Sequence, residues 1–347
     1  MSASAAEIDE VTDAPHPRET SVLFGHAEAE RALLDAYRSG AMPHAWLIGG
    51  ERGIGKATLA YRVARFMLAH PDPMAHDVQS ANSLAVNSNH PVARRIAGQA
   101  HGDLLVLERT LNEKGKLRQD IAVDDVRRAV PFFGSTAGEG GWRLAIVDAV
   151  DELNAAGANA LLKIVEEPPQ RALLLLVSHA PGRALATMRS RCRRLVLRPL
   201  GIDDTAGATA AALGKSADAP EIRSAAEAAD GSVGRALMFL SGSALDLRRQ
   251  VTALLDALPA LDPRALHALG DALAGTEPAT FAAFMDTINA WLSARLSSGP
   301  GEIGHIAPVA QAWEQFNRAG REVDVFNLDR KPFVFSAFSL LAEAARG

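Results

Sequence analysis

The sequence predicts an α/β domain built on a parallel sheet with helices on both faces, followed by two helical units. Three observations carry that reading. From Phe24 to Leu197 short apolar runs alternate with stretches of helical spacing, the trace that a parallel sheet covered on both faces leaves in sequence. A glycine-rich segment ending in lysine, Gly50-Glu51-Arg52-Gly53-Ile54-Gly55-Lys56, sits between the first apolar run and the next helix. After Pro199-Leu200-Gly201 the strand-like runs stop and alanine-rich helical sequence takes over.

The expected strands are Ala45 to Ile48, Asp103 to Leu107, Arg143 to Val147, Ala172 to Val177 and Arg194 to Leu197. Helices are expected near His26 to Ser39, Lys56 to Ala69, Val123 to Val130 and Asn154 to Glu166. The last stops before Pro168-Pro169, because a proline disfavours helical geometry in the residue ahead of it. Residues 71–99 are polar and irregular and read as a surface insertion. A small helical unit is expected over 201–243, with Gly231-Ser232 placed to end one helix and start the next. In the all-α part, 244–347, helical spacing links Leu247, Val251, Leu254, Leu255 and Leu258, then Phe281, Phe284, Met285, Ile288, Trp291 and Leu292, then Val309, Trp313 and Phe316. Those aromatics are expected to pack between helices.

The 347 residues suffice for two or three domains, and 48% hydrophobic with 22% charged residues is ordinary globular composition. No apolar run reaches the roughly 18 residues of a membrane span, so no membrane association is expected. Cys192 is the single cysteine, which excludes an internal disulfide and a thiolate zinc cluster. Residues 1–19 hold Glu7, Asp9, Glu10, Asp13 and Glu19 against Arg18 alone, a charge of about −4 without apolar periodicity that reads as a disordered acidic tail. It lacks the basic start and apolar stretch of a signal peptide, and a cytoplasmic location is expected. Without it the body carries about −1, which offers nucleic acid no global basic field.

The glycine-rich segment has the spacing and placement of a phosphate-binding loop. Gly50, Gly53 and Gly55 let backbone amides turn toward phosphate oxygens, and Lys56 reaches outer phosphates as a point charge. The next residue is Ala57, where such loops carry a hydroxyl for magnesium. Thr58 lies one position further, turned by about 100° on the helix. Asp148 ends a strand where a metal-holding acid belongs, but Ala149 stands where a water-activating glutamate is expected. Asp151 and Glu152 read as caps of the following helix. Loop and strand have each lost a residue that hydrolysis needs.

Ser178 ends a strand where its side chain can face a γ-phosphate. Arg183, Arg189, Arg191, Arg193, Arg194 and Arg198 follow with no acid among them, either a solvated basic face or a source of one guanidinium for a neighbour's nucleotide at a subunit edge. Cys192 reads as a small buried residue rather than a nucleophile.

Asn159-Ala160-Leu161-Leu162-Lys163-Ile164-Val165-Glu166-Glu167-Pro168-Pro169, Ser190-Arg191-Cys192, Phe24-Gly25-His26, Pro43-His44-Ala45 and Gly231-Ser232-Val233-Gly234-Arg235-Ala236 together resemble motifs of the AAA+ clamp loaders, over about residues 20 to 242. The resemblance implies an AAA+ nucleotide-binding domain over 20–200, a helical lid over 201–243 and a collar over 244–347 that joins subunits. It implies a stator in the clamp loader of the DNA polymerase III holoenzyme, which helps load the sliding clamp onto primed DNA in replication. The partners it implies are gamma/tau motor subunits and a delta subunit in a hetero-oligomeric ring, with clamp and DNA reached through the complex.

By the same resemblance Arg191 is a finger acting in trans, and Arg235 a lid arginine that senses nucleotide. The chain itself is expected to lack ATPase and polymerase activity. No cofactor is required, and ATP or ADP is expected to bind, if at all, without hydrolysis at Gly50, Gly53, Gly55, Lys56, Thr58, Asp148, Ser178 and Arg235. Relatives often carry a four-cysteine zinc module after the first loop helix. Residues 71–99 contain no cysteine, so no zinc is expected, and His70, His76 and His90 read as solvated. Two other readings are an active clamp-loader motor and a stand-alone phosphotransferase. Ala57 and Ala149 oppose the first, and the helical C-terminal part leaves the second incomplete.

Overall fold

The structure, a computed structural model, describes residues 14–112, 117–118, 120–134, 141–182, 186–240, 244–275, 278–297, 303–326 and 328–346. The chain divides into two compact units, one reaching Ala236 and the other running from Leu237 to Gly347.

The first unit is built on five parallel strands: β1 (Ala45–Gly49), β2 (Leu104–Glu108), β3 (Arg143–Asp148), β4 (Ala172–Ser178) and β5 (Arg193–Val196). Their spatial order is β2-β3-β4-β1-β5. α1 (Ala27–Arg38) precedes the sheet; parallel pairing then requires crossovers, and helices supply them: α2 (Lys56–Ala69), α3 (His76–Ser80), α4 (Pro91–Ala97), α5 (Val123–Arg127), α6 (Ala129–Gly134), α7 (Ala155–Glu166) and α8 (Ala186–Arg191).

Strand side chains alternate between faces with period two, and the core divides accordingly. Trp46, Ile48, Leu144, Ile146, Leu173, Leu175 and Val177 pack with α1 to α4. Ala45, Leu47, Ala145, Val147, Leu174 and Leu176 pack with α5 to α8. Central strands β1 and β4 are buried along their whole length, which explains their uninterrupted apolar sequence. Each Leu so buried contributes roughly 1.5–3 kcal/mol.

Three expectations are corrected. Residues 71–99 are more than a surface insertion: they form α3 and α4, and Val78, Leu84, Val92 and Ile96 join the core beside α2. Their short apolar spacing is hidden by the Pro, Asn and Ser around it. His90 caps α4 by accepting the Val92 amide at its Nδ1, 3.3 Å away, and its ring centroid lies 6.5 Å from that of His70. Second, the expected helix Val123 to Val130 is two short helices joined at Arg128.

Third, the acidic tail is not free to its end. Residues 1–13 lie outside the described residues, but Ala14 and His16 are buried. The His16 ring meets Tyr61 edge-on at 5.8 Å, its Nε2 lies 3.6 Å from Glu108, and Arg65 donates to the Pro17 carbonyl at 3.2 Å. Composition cannot register such docking, because it depends on a partner surface far along the chain.

The first unit continues through α9 (Ile202–Leu213) and α10 (Pro220–Ala228) into α11 (Val233–Leu240), within which the division falls. The second unit contains α12 (Ala244–Asp256), α13 (Pro263–Leu273), α14 (Pro278–Ser297), α15 (Ile303–Phe326) and α16 (Arg330–Ala344). Phe281, Phe284, Phe316, Phe333 and Phe338 are buried in its core, and Trp313 donates its indole N–H to Asn289 at 2.6 Å.

Candidate nucleotide-binding site

In open α/β sheets, ligands bind beyond the carboxyl ends of the strands. The sheet registers Gly49 with Ser178, Glu108 with Asp148 and Asp148 with Val177, so those strand ends lie side by side. The glycine-rich loop leaves β1 there and feeds α2. Gly53 and Gly55 have φ of 72° and 97°, a backbone that side-chain-bearing residues adopt only with strain. The turn brings Lys56 back over its own loop. Lys56 is only 3% exposed, and its ammonium donates to the carbonyls of Gly50, at 2.8 Å, and Glu51. Burial lowers its pKa to about 8, against the raising influence of Asp148. Burial also raises Asp148 to about 6, which Lys56 opposes.

Ala57 is buried behind Lys56 and Thr58 is half-buried one position further on α2. Ala57 has no oxygen, so α2 supplies no hydroxyl next to the lysine. The loop fits a phosphate group; the residue at position 57 does not fit magnesium.

The acids after β3 do not cap α7. Asn154 is the cap, accepting the Gly157 amide at 2.9 Å, and the expectation for Asp151 and Glu152 is corrected. Asp151 accepts the Ser178 hydroxyl at 3.0 Å and the His179 amide, which ties β4's end to the acid segment and turns the Ser178 hydroxyl toward Asp151. Glu152 is 7% exposed and pairs with Arg52 at 3.3 Å and Arg109 at 3.0 Å. His179 sits among Lys56, Arg52 and Arg109, and burial followed by those charges drives its pKa down to about 2. The ring is therefore neutral.

Arg52, Arg109, Glu152 and His179 were not singled out as a group by the sequence. No local spacing links positions 52, 109, 152 and 179. Only the pairing of β2 with β3 sets Arg109 beside the segment after Asp148. His26, noted within the Phe24-Gly25-His26 motif, is a further anchor: its Nε2 bonds the Ile54 carbonyl at 2.6 Å, and burial lowers its pKa.

The start of α11 closes directly on the loop. Ser232 donates to the Arg52 carbonyl at 2.9 Å, and the Gly234 amide donates to the Gly53 carbonyl at 3.1 Å. Ser232 also caps α11, accepting the Arg235 amide at 3.2 Å. The Arg235 guanidinium lies 3.0 Å from Asp230 and 3.9 Å from Glu51. Gly50, Gly53, Lys56, Asp148 and Arg235 thus belong to one neighbourhood with Ser178 and Asp151.

Arg191 does not take part in it. It ends α8, is exposed, and pairs with Glu166 at 3.1 Å. Cys192, next to it, is buried, and burial raises its thiol pKa to about 11. Arg183 lies outside the described residues. Among the described residues no three His, Cys, Asp or Glu side chains are grouped to hold a metal ion, and no helix is long and apolar enough to cross a membrane.

A five-stranded parallel sheet in this order, with a phosphate loop after the inner strand β1 and a helical unit resting on that loop, is an AAA+ domain, here followed by an all-α unit. The chain belongs to the family described as "DNA polymerase III, delta subunit", whose model matches residues 25–201. It is 36% identical over 149 residues to DNA polymerase III subunit delta' of Pseudomonas aeruginosa, covering 43% of this chain and 41% of that protein. It is 33% identical over 168 residues to the Escherichia coli K12 subunit delta', covering 48% and 46%. It is also 31% identical over 189 residues to subunit gamma/tau of Mycobacterium tuberculosis H37Rv, covering 53% of this chain and 29% of that one. The matches thus span less than half the length of the curated relatives.

Proposed function

We propose that this chain is a clamp-loader subunit of the delta' kind, a stator that helps load the sliding clamp onto primed DNA within a DNA polymerase III holoenzyme. It does not hydrolyse ATP, and it lends Arg191 to the nucleotide held by a neighbouring gamma/tau motor subunit. Its ring is completed by a delta subunit, and clamp and DNA are reached through the complex.

The observation that carries this reading is the pairing of a retained phosphate cradle with missing hydrolytic groups. Lys56 and the loop amides would hold the phosphates of ATP or ADP. Ala57 supplies no magnesium ligand, and Ala149 no carboxylate to activate water. A group that contributes electrostatically to a neighbour's phosphoryl transfer must reach out of its own chain, and Arg191 is exposed at the end of α8. Such fingers are worth roughly 10³ to 10⁵ in rate where they occur.

Titration of the purified chain with ATP and Mg²⁺, reading heat of binding and phosphate release in parallel, tests the first half. Binding without turnover, or no binding, is expected. Turnover at ordinary ATPase rates would transfer the chain to the motor class. The second half is tested in the reconstituted complex, where Arg191→Ala should lower DNA-stimulated ATPase without preventing assembly.

A further inference from the structure

How many phosphates the site takes depends on the groups at the end of β4. That strand lies between β3 and β1 in the sheet, so its end stands between the acid segment and the root of the phosphate loop. The Gly50 amide donates to the Ser178 carbonyl at 3.2 Å, which fixes the strand end beside the loop. A loop of this kind cradles the inner phosphates with its amides and sends its lysine to the outer ones. The outermost phosphate of a triphosphate would therefore extend over the end of β4.

The groups there are not arranged to receive more negative charge. Ser178 is fully buried and its hydroxyl donates to Asp151 at 3.0 Å, so the donor expected to face a γ-phosphate is already engaged. Asp151 takes a second hydrogen bond from the His179 amide. Both donors are neutral, so neither offsets the charge of the carboxylate. Asp151 is exposed, and it lies near enough to Lys56 to act electrostatically on the ammonium. Arg52 and Arg109 are paired with Glu152 at 3.3 and 3.0 Å, and Ala57 brings no magnesium to balance a further phosphate. Inner phosphates meet loop amides and Lys56, whereas an outer one also meets a carboxylate, and like charges brought together weaken binding.

We infer that Asp151 makes this site selective for a nucleoside diphosphate over a nucleoside triphosphate. The inference deepens the proposed function and rests on its phosphate cradle: the loop and Lys56 hold two phosphates, and the carboxylate on Ser178 disfavours a third. Selection by charge needs no metal ion, so it operates with magnesium chelated.

The test is calorimetric titration of the full chain with ADP and with ATP in EDTA, where ADP should bind about tenfold more tightly. Asp151→Asn keeps the size of the side chain and an acceptor for Ser178 but removes the charge. ATP affinity should then rise about tenfold and ADP affinity change by less than about twofold, closing the gap. Ser178→Ala leaves the carboxylate in place and should keep the preference for ADP. Thermal melts check the folding of both variants, and the comparison in the unsubstituted chain depends on neither. Equal affinities for ADP and ATP, or a gap that persists in Asp151→Asn, would overturn the selectivity and leave the stator reading standing. Binding of neither nucleotide would do the same. Phosphate release from ATP at ordinary ATPase rates once Mg²⁺ is restored would show that a third phosphate is accommodated, and both would fall.

Discussion

The amide of Gly234 donates to the carbonyl of Gly53 at 3.1 Å, joining the start of α11 to the phosphate loop. A Cβ at position 53 would lie 2.4 Å from the Ser232 hydroxyl and 2.9 Å from that same amide. The helical unit after the sheet therefore rests on the loop backbone itself.

Gly53→Ala should cost more than an ordinary loop substitution. A left-handed backbone at φ 72° costs about 1–2 kcal/mol for a non-glycine residue, and the added methyl pushes Ser232 away. Urea denaturation should show the loss, and amide exchange at 232–235 should quicken. Unchanged exchange there would mean that the loop does not hold α11.

Glu152→Gln should destabilise the first unit by about 3 kcal/mol or more, because it leaves the Arg52 and Arg109 guanidinia without their buried countercharge. Denaturant midpoints measure this. A change below about 0.5 kcal/mol would show that the two arginines find water as readily as the acid.

Lys56 gives stability a pH dependence of definite sign. Its folded pKa of about 8 lies below the ordinary 10.5, so the unfolded chain binds more protons between those values. The penalty for burying the ammonium is fully present below pH 8 and is lost as pH rises toward 10.5. Relative to Lys56→Met, the unsubstituted chain should gain stability across that window, by on the order of 3 kcal/mol. Parallel melting curves of the two proteins from pH 7 to 10.5 would not converge or cross if the lysine were solvated.

Arg191→Ala should leave the melting temperature nearly unchanged. Its pair with Glu166 is solvent-exposed on both sides, and such pairs contribute about 0–1 kcal/mol. A large loss of stability would assign Arg191 to holding α8 on α7 and remove it as a group available to a neighbour.

Cys192 should resist thiol reagents at pH 8 in the folded chain, since burial raises its pKa to about 11 and the thiolate is the reactive form. Labelling should become fast in urea. Fast labelling of the folded chain would place the thiol at the surface.

How much of this was legible depends on distance along the chain. β1, β3, β4, α2 and α7 were readable to within one or two residues, since apolar runs and helical spacing are local signals and the sheet buries both faces. The loop was readable because its glycines and lysine lie within seven positions. The Glu152 cluster was not, because Arg52, Arg109 and Glu152 are drawn from the loop, the end of β2 and the turn after β3. The core residues of 71–99 were missed for another reason: one apolar residue per few polar ones is too sparse to show periodicity.

The sequence by itself determined the order of strands and helices along the chain, the phosphate loop, and the absence of a hydroxyl at 57 and a carboxylate at 149, all properties of residue type and near spacing. Tertiary structure alone decided that Lys56 folds onto its own loop, that Ser232 and Gly234 close on Arg52 and Gly53, and that Glu152 joins two distant arginines. Those outcomes turn on which strand ends lie side by side. Hydrogen bonds and ion pairs act over a few ångströms of space, and only the folded sheet brings such distant positions within that range.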